Sequence, residues 1–350
     1  MKTYRLTLLA TAFLALAAIP VYYTLGEDEV TIDKINFGTL WMGEEITKED
    51  LSDHVVGVEF WGKWCGPCRA AMPHLVNWYK KYSPNGFILL GLHSTKQETK
   101  EEVIAFCKQN KITFNIYDRG SISGVDVSGI PHFTLFDHTG KMVYDGHPME
   151  AAAEKALSEA MKNAPDWLVG EGPYKKLKAL AEKIKERKGL GGVLKTIKEK
   201  HLNSQDPDEK AEAEKLLERL TRYGNKLLQK ADGLKTTEPL KSHNLYQETS
   251  KLFKGDEIGD NADNALKDLK EDKTFQDNLK ADKELSEMIP DIEKLKACGK
   301  CGTFNKECEA CKKKNASLEA LIQKAKGILK KYPDSPAAAK VKELLPVEQK

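Results

Sequence analysis

Six of the seven cysteines in this 350-residue chain fall in three Cys-x-x-Cys pairs, Cys65/Cys68, Cys298/Cys301 and Cys308/Cys311, with Cys107 alone. Two thiols at that spacing can close a disulfide, supply half of a tetrathiolate metal site, or cycle as a redox couple. Arg69, Gly302 and Lys312 follow the pairs where covalent haem attachment would need histidine, so that chemistry is excluded. The first pair lies in EFWGKWCGPCRAAMPHL (59–75), where an apolar run that reads as a strand meets a helical pattern. A helix start offers unpaired N–H donors and partial positive charge, and both favour thiolate over thiol. Cys65, at the exposed strand end, is expected to be the attacking thiolate. Cys68, one turn inside, is placed to resolve the mixed disulfide. Pro67 suits the first turn, where its missing N–H costs nothing. A zinc site would need a second Cys/His pair nearby, and a disulfide across two residues adds little stability. The pair therefore reads as a redox couple, which needs no cofactor.

The surrounding elements follow from periodicity. VVGVEFW (55–61) is a short apolar run with β-branched residues, a buried strand. Helical spacing at Met72, Leu75, Val76 and Tyr79 follows the cysteines, and Gly86 restarts the chain into FILLGLH, a second strand. Thr99 caps a helix to Asn110 with Val103, Ile104 and Cys107 on one face, which makes Cys107 a packing residue. TFNIYD (113–118) is a third strand, and HFTLFD (132–137) and KMVYDG (141–146) flank a hairpin turn at His138-Thr139-Gly140. A last helix covers Ala151 to Ala164. The order is β-α-β-α-β-β-β-α, an α/β arrangement with one mixed sheet flanked by helices.

FWGKWCGPCRAAMP resembles the thioredoxin active-site stretch, and GIPHFTLFDHTGK (129–141) resembles the thioredoxin segment that bears a cis-proline. The resemblance covers about residues 30 to 165 and implies a thioredoxin fold. It also implies that Pro131 is cis and faces the cysteine pair, and that the Ile130 backbone pairs with an extended substrate. Trp64 would shield the sulfurs, with Gly66 and Pro67 beside it in the substrate surface. His132, next to the proline, would be a half-exposed strand residue or a neighbour able to stabilise a thiolate. Glu59 takes the place of the thioredoxin buried acid, where desolvation would raise its pKa and let it relay the proton of Cys68. The helix at 99–110 exceeds what plain thioredoxin needs, and behind an apolar terminus it is similar to the TlpA/ResA-like tethered thioredoxins. Peroxide reduction fits less well, since no threonine precedes Cys65 at the spacing that chemistry wants.

At the terminus, Lys2 and Arg5 precede an uncharged stretch from Leu6 to Leu25, and Glu27, Asp28 and Glu29 follow. Positive before and acidic after implies export. Residues 1–26 are a signal sequence or a membrane anchor, and an anchor through 6–25 is favoured because the apolar run is long enough to span a bilayer. The localisation expected is the periplasmic or extracytoplasmic side, with a membrane electron donor as a candidate partner.

Beyond the thioredoxin-like segment (30–168), residues 172–350 read as an all-α region. Formal charge changes with it: residues 1–170 hold 16 Lys and Arg against 21 Asp and Glu, and residues 171–350 hold 39 against 32. Basic residues there interleave with acids and aromatics are sparse, so no nucleic-acid partner is expected. Asp206-Pro207-Asp208-Glu209 signals a helix start, and the stripe Leu216, Leu217, Leu220, Tyr223, Leu227, Ala231 runs to a stop at Gly233. The polar segment 254–273 reads as a loosely packed connection. Near the end, KKYPDSPAAAKVKELL resembles the turn between tetratricopeptide helices, in a single copy. Cys298, Cys301, Cys308 and Cys311 form a C-x2-C-x6-C-x2-C run that fits nested structural disulfides, a zinc site, or a redox relay to Cys65. The sequence thus points to an exported thiol–disulfide oxidoreductase acting on protein thiols and disulfides through Cys65/Cys68. The alternative is a helical interaction scaffold that uses its thioredoxin segment for docking.

Overall fold

The structure is a computed structural model that describes residues 29–94, 98–296, 309 and 315–345. The apolar terminus and the four tail cysteines, with the readings placed on them, lie outside the described residues. Strands β1 (Ile35–Asn36) and β6 (Ser121–Ile122) pair as a small antiparallel sheet. The main sheet joins β2 (Thr39–Met42), β3 (Val55–Trp61), β4 (Phe87–His93), β5 (Asn115–Asp118), β7 (His132–Phe136) and β8 (Met142–Gly146) in the order β2-β5-β4-β3-β7-β8. Neighbours β3, β4 and β5 run parallel, and β2, β7 and β8 are antiparallel to their partners. All seven residues of β3 are buried, as an apolar run in the centre of a two-sided sheet should be.

Helices α1 (Gly66–Tyr82), α2 (Lys100–Gln109) and α3 (Ala151–Asn163) contribute Met72, Leu75 and Trp78, Val103 and Cys107, and Ala153 and Leu157 to one apolar cluster. From the sheet that cluster takes Trp61, Leu89 and Phe133. The opposite face buries Val56, Val58, Phe60, Leu90 and Leu92 under Ile35, Leu51 and Ile122, which come from the amino-terminal segment and β6. Thr99 caps α2 in a reciprocal box with Glu102, as its position predicts.

The following region is helical: α4 (Lys178–Lys185), α5 (Leu190–Thr196), α6 (Pro207–Leu234), α7 (Pro239–Leu252), α8 (Glu257–Glu271), α9 (Lys273–Lys296), α10 (Asn315–Lys331) and α11 (Pro336–Leu344). Asp206 caps α6 by accepting from the N–H groups of Asp208 and Glu209, with Pro207 opening the helix. Gly233 does not stop α6, which includes it and ends one residue later. Segment 254–273 departs further from expectation. Most of it is α8, whose Ile258, Ala262 and Leu269 are buried, so it is packed rather than loose. The reason is a narrow apolar face: one buried residue per turn suffices where Phe253, Tyr246 and Phe275 supply the bulk.

Candidate redox site

Local sequence places the sulfurs. β3 ends at Trp61, Gly62-Lys63-Trp64 turns the chain, and Cys65 becomes the N-cap of α1 with Pro67 in the first turn. Cys65 and Cys68 are joined in a disulfide, their Cα atoms 5.3 Å apart. The Cys65 sulfur accepts the Cys68 backbone N–H at 3.1 Å. It is therefore held where helix-start donors stabilise negative charge. Expected as exposed, Cys65 is in fact 5% exposed, yet Cys68 is at 0%, so of the two only Cys65 reaches the surface. The difference arises because the N-cap tucks beneath the opposing loop. There the Ile130–Pro131 peptide is cis, and the Ile130 carbonyl oxygen lies 3.6 Å from the Cys65 sulfur. Gly66 faces open space.

Glu59 is fully buried on β3 and neither carboxylate oxygen has a hydrogen-bond partner. Strand alternation puts it on the face of Val55 and Trp61, the face that α1 covers. Desolvation pushes its pKa well above the ordinary carboxylate range. An unpartnered carboxyl under the redox helix can give one proton as the acid and take one as the carboxylate. Cys107 is also buried, and its thiol is pushed up to about 12 by burial, which leaves it inert.

Two further expectations shift. Trp64 is 42% exposed and leans back over Gly62, donating its indole N–H to the Ser94 carbonyl at 3.3 Å. It walls a groove beside the sulfurs more than it covers them. His132 is partly buried, and its Nε2 is committed to Asp145 at 2.8 Å, with Thr134 donating to the same carboxylate oxygen. The carboxylate on β8 thus engages that ring nitrogen.

Residues not singled out from sequence complete the site. A groove of about 500 Å³ runs from Trp64 to Ile130 and is lined by Phe60, Leu92, Val125 and Val127, with His93, Ser94, Arg119 and Ser121 as its polar members. Its walls come from strand ends and a loop far apart in sequence. The one signal available was His93, a lone imidazole ending the apolar run FILLGLH.

A parallel-centred mixed sheet, a disulfide at a helix N-terminus and a cis-proline facing it define a thioredoxin-like domain, followed here by a helical region. Residues 35–121 match the AhpC/TSA family. The chain is 35% identical over 104 residues to the thiol-disulfide oxidoreductase ResA of Bacillus cereus, covering 29% of this chain and 59% of that protein. For ResA of Bacillus subtilis the figures are 32% over 104 residues, 29% and 57%. The chain thus spans less than two thirds of the length of these relatives. A thiol:disulfide interchange protein of the thioredoxin family from Chlorobium tepidum TLS aligns at 20% identity and a TM-score of 0.33, over 38% of this chain and 95% of its own. The amino-terminal domain thus has a thioredoxin-like fold and is similar to the ResA thiol-disulfide oxidoreductases over about 104 residues.

Proposed function

We propose that the chain is a thiol–disulfide oxidoreductase that exchanges disulfides with protein substrates through Cys65 and Cys68. The observation that carries this reading is the Cys65–Cys68 disulfide at the start of α1, opposite cis-Pro131. In the reducing direction the Cys65 thiolate attacks a substrate disulfide, forming a mixed disulfide and releasing one substrate thiolate. Glu59 in its carboxylate form accepts the proton of Cys68, whose thiolate then attacks the Cys65 sulfur and frees the second substrate thiolate. Two electrons pass to the substrate, and the intramolecular disulfide remains. The reverse sequence oxidises a substrate dithiol. Ile130 offers its backbone to an extended substrate segment, while Trp64, Gly66 and Pro67 border it.

Export, with the apolar run 6–25 as anchor and a membrane electron donor recharging the pair, is part of the proposal. Its support is the charge order around that run.

Single-cysteine variants test the reading. Cys68→Ser should accumulate mixed disulfides with disulfide-containing partners, and Cys65→Ser should lose exchange altogether. Full activity of Cys65→Ser in a turbidity assay of disulfide reduction would refute it.

A further inference from the structure

His93 stands at the end of β4, in register with Trp61 on β3 and Asp118 on β5. It is 1% exposed, its ring 5.3 Å from that of Trp41 and 5.0 Å from that of Trp61. Packing alone would explain an aromatic there. The ring nitrogens say more. Nε2 is 3.3 Å from the backbone N–H of Lys63, in the three-residue turn between β3 and Cys65, while Nδ1 is buried without a partner. A backbone N–H can only donate, so Nε2 accepts, and the imidazole is neutral with its proton on Nδ1. Other contacts tie the same turn to the end of β4: the Ser94 N–H donates to Trp61 O at 2.8 Å, and Trp64 Nε1 donates to Ser94 O. Of these, only the His93 contact can be switched off by a proton.

We infer that His93 is a positioning residue for Cys65, its neutral imidazole fixing the Lys63 N–H and with it the turn that sets the attacking sulfur against the start of α1. The inference rests on the proposed exchange reaction for its purpose but not for its test. The charged groups facing the ring are Glu98, whose Oε2 lies 3.7 Å from Nε2, Asp118 across the sheet, and the Lys63 ammonium. Burial outweighs the Asp118 carboxylate and, with the Lys63 ammonium, holds the imidazole down to about 4, so it stays a neutral acceptor through the neutral range. A protonated ring would present N–H to N–H and release the turn.

Two variants of the full chain separate positioning from packing. His93→Phe keeps a ring between the tryptophans and deletes the acceptor, while His93→Gln can restore an acceptor oxygen and loses the ring. The readout is the pH dependence of Cys65 alkylation in the reduced protein, followed by mass at residues 64–69. Positioning predicts that Phe raises the alkylation midpoint by roughly one unit, about a tenfold loss of thiolate at neutral pH, and that Gln stays near wild type. A wild-type midpoint in Phe, with Gln impaired, would overturn the inference. A second measurement needs no variant: the Lys63 amide resonance should titrate with the His93 Cε1–H as pH falls, and independent titration would also overturn it. Because alkylation needs no substrate, inactivity of the wild-type chain in disulfide reduction would count against the proposed function alone.

Discussion

Glu59 and the cysteine pair bring opposite demands to one place. The buried carboxyl costs stability, since both oxygens lack partners and burial disfavours its charged form. The sign follows from linkage. A folded-state pKa raised above the unfolded value means that the unfolded chain releases this proton first, so stability falls as pH rises above about 4.5 toward the raised value. Glu59→Gln should therefore raise the melting midpoint at neutral pH, by about 1–3 kcal/mol in stability. It should also slow exchange near neutral pH, with recovery as hydroxide takes over deprotonation of Cys68. A melting curve and a pH–rate profile check the two halves separately. Cys65, Cys68, Glu59 and Pro131 were legible because their chemistry is tied to local spacing and to a family motif. His93 was not, since its role depends on the Lys63 N–H thirty residues away, and a lone histidine in a strand carries no such mark.

At the scale of elements, long periodic segments read true. Helix α1 and strands β3 and β4 match their apolar patterns closely, and Thr99 and Asp206 mark helix starts through side-chain oxygens. Strands β1, β2 and β6 went unseen because runs of two to four residues hold too little alternation, and tertiary pairing alone defines them. Helix α8 was hidden by its many charges. Its packing depends on close backbone approach, which pattern does not show: a Cβ on Gly259 would lie 2.4 Å from the Phe253 carbonyl oxygen, and one on Gly191 meets the Lys254 carbonyl oxygen at the same distance. Gly191→Ala should accordingly destabilise the helical region by about 1–3 kcal/mol, read by chemical denaturation. Cys65 alkylation in the folded variant should be unchanged.

Across the whole molecule, the charge asymmetry seen in composition reappears as a seam. Helix α6 sets Arg219, Lys226 and Lys230 against Asp53, Asp50 and Glu44 of the thioredoxin-like domain. Trp167 meets His54 beside them, and Gly86 fits against the indole where a Cβ would come within 3.0 Å. The pairs are unequal. Arg219 is mostly buried and also donates to the Leu168 and Trp167 carbonyls, whereas Lys230 and Glu44 are exposed. Arg219→Ala should cost about 2–4 kcal/mol and loosen the seam, and Lys230→Ala should cost under about 1 kcal/mol. Thermal unfolding at low and high salt compares them. The seam lies at the start of β4, through Ile88, and the redox groove at its far end, through Leu92 and His93. Among the described residues, the seam with α6 therefore lies away from the redox groove.

The most direct test of the redox assignment is an equilibrium titration of the full chain in glutathione buffers, with thiols at Cys65 and Cys68 counted by mass after alkylation. Thiol–disulfide exchange predicts a reversible two-electron transition confined to that pair, its reduced-to-oxidised ratio changing tenfold per about 30 mV, with Cys107 unchanged throughout. A pair that stays fully disulfide-bonded, or fully reduced, across the range would contradict it and leave Cys65–Cys68 without a redox role.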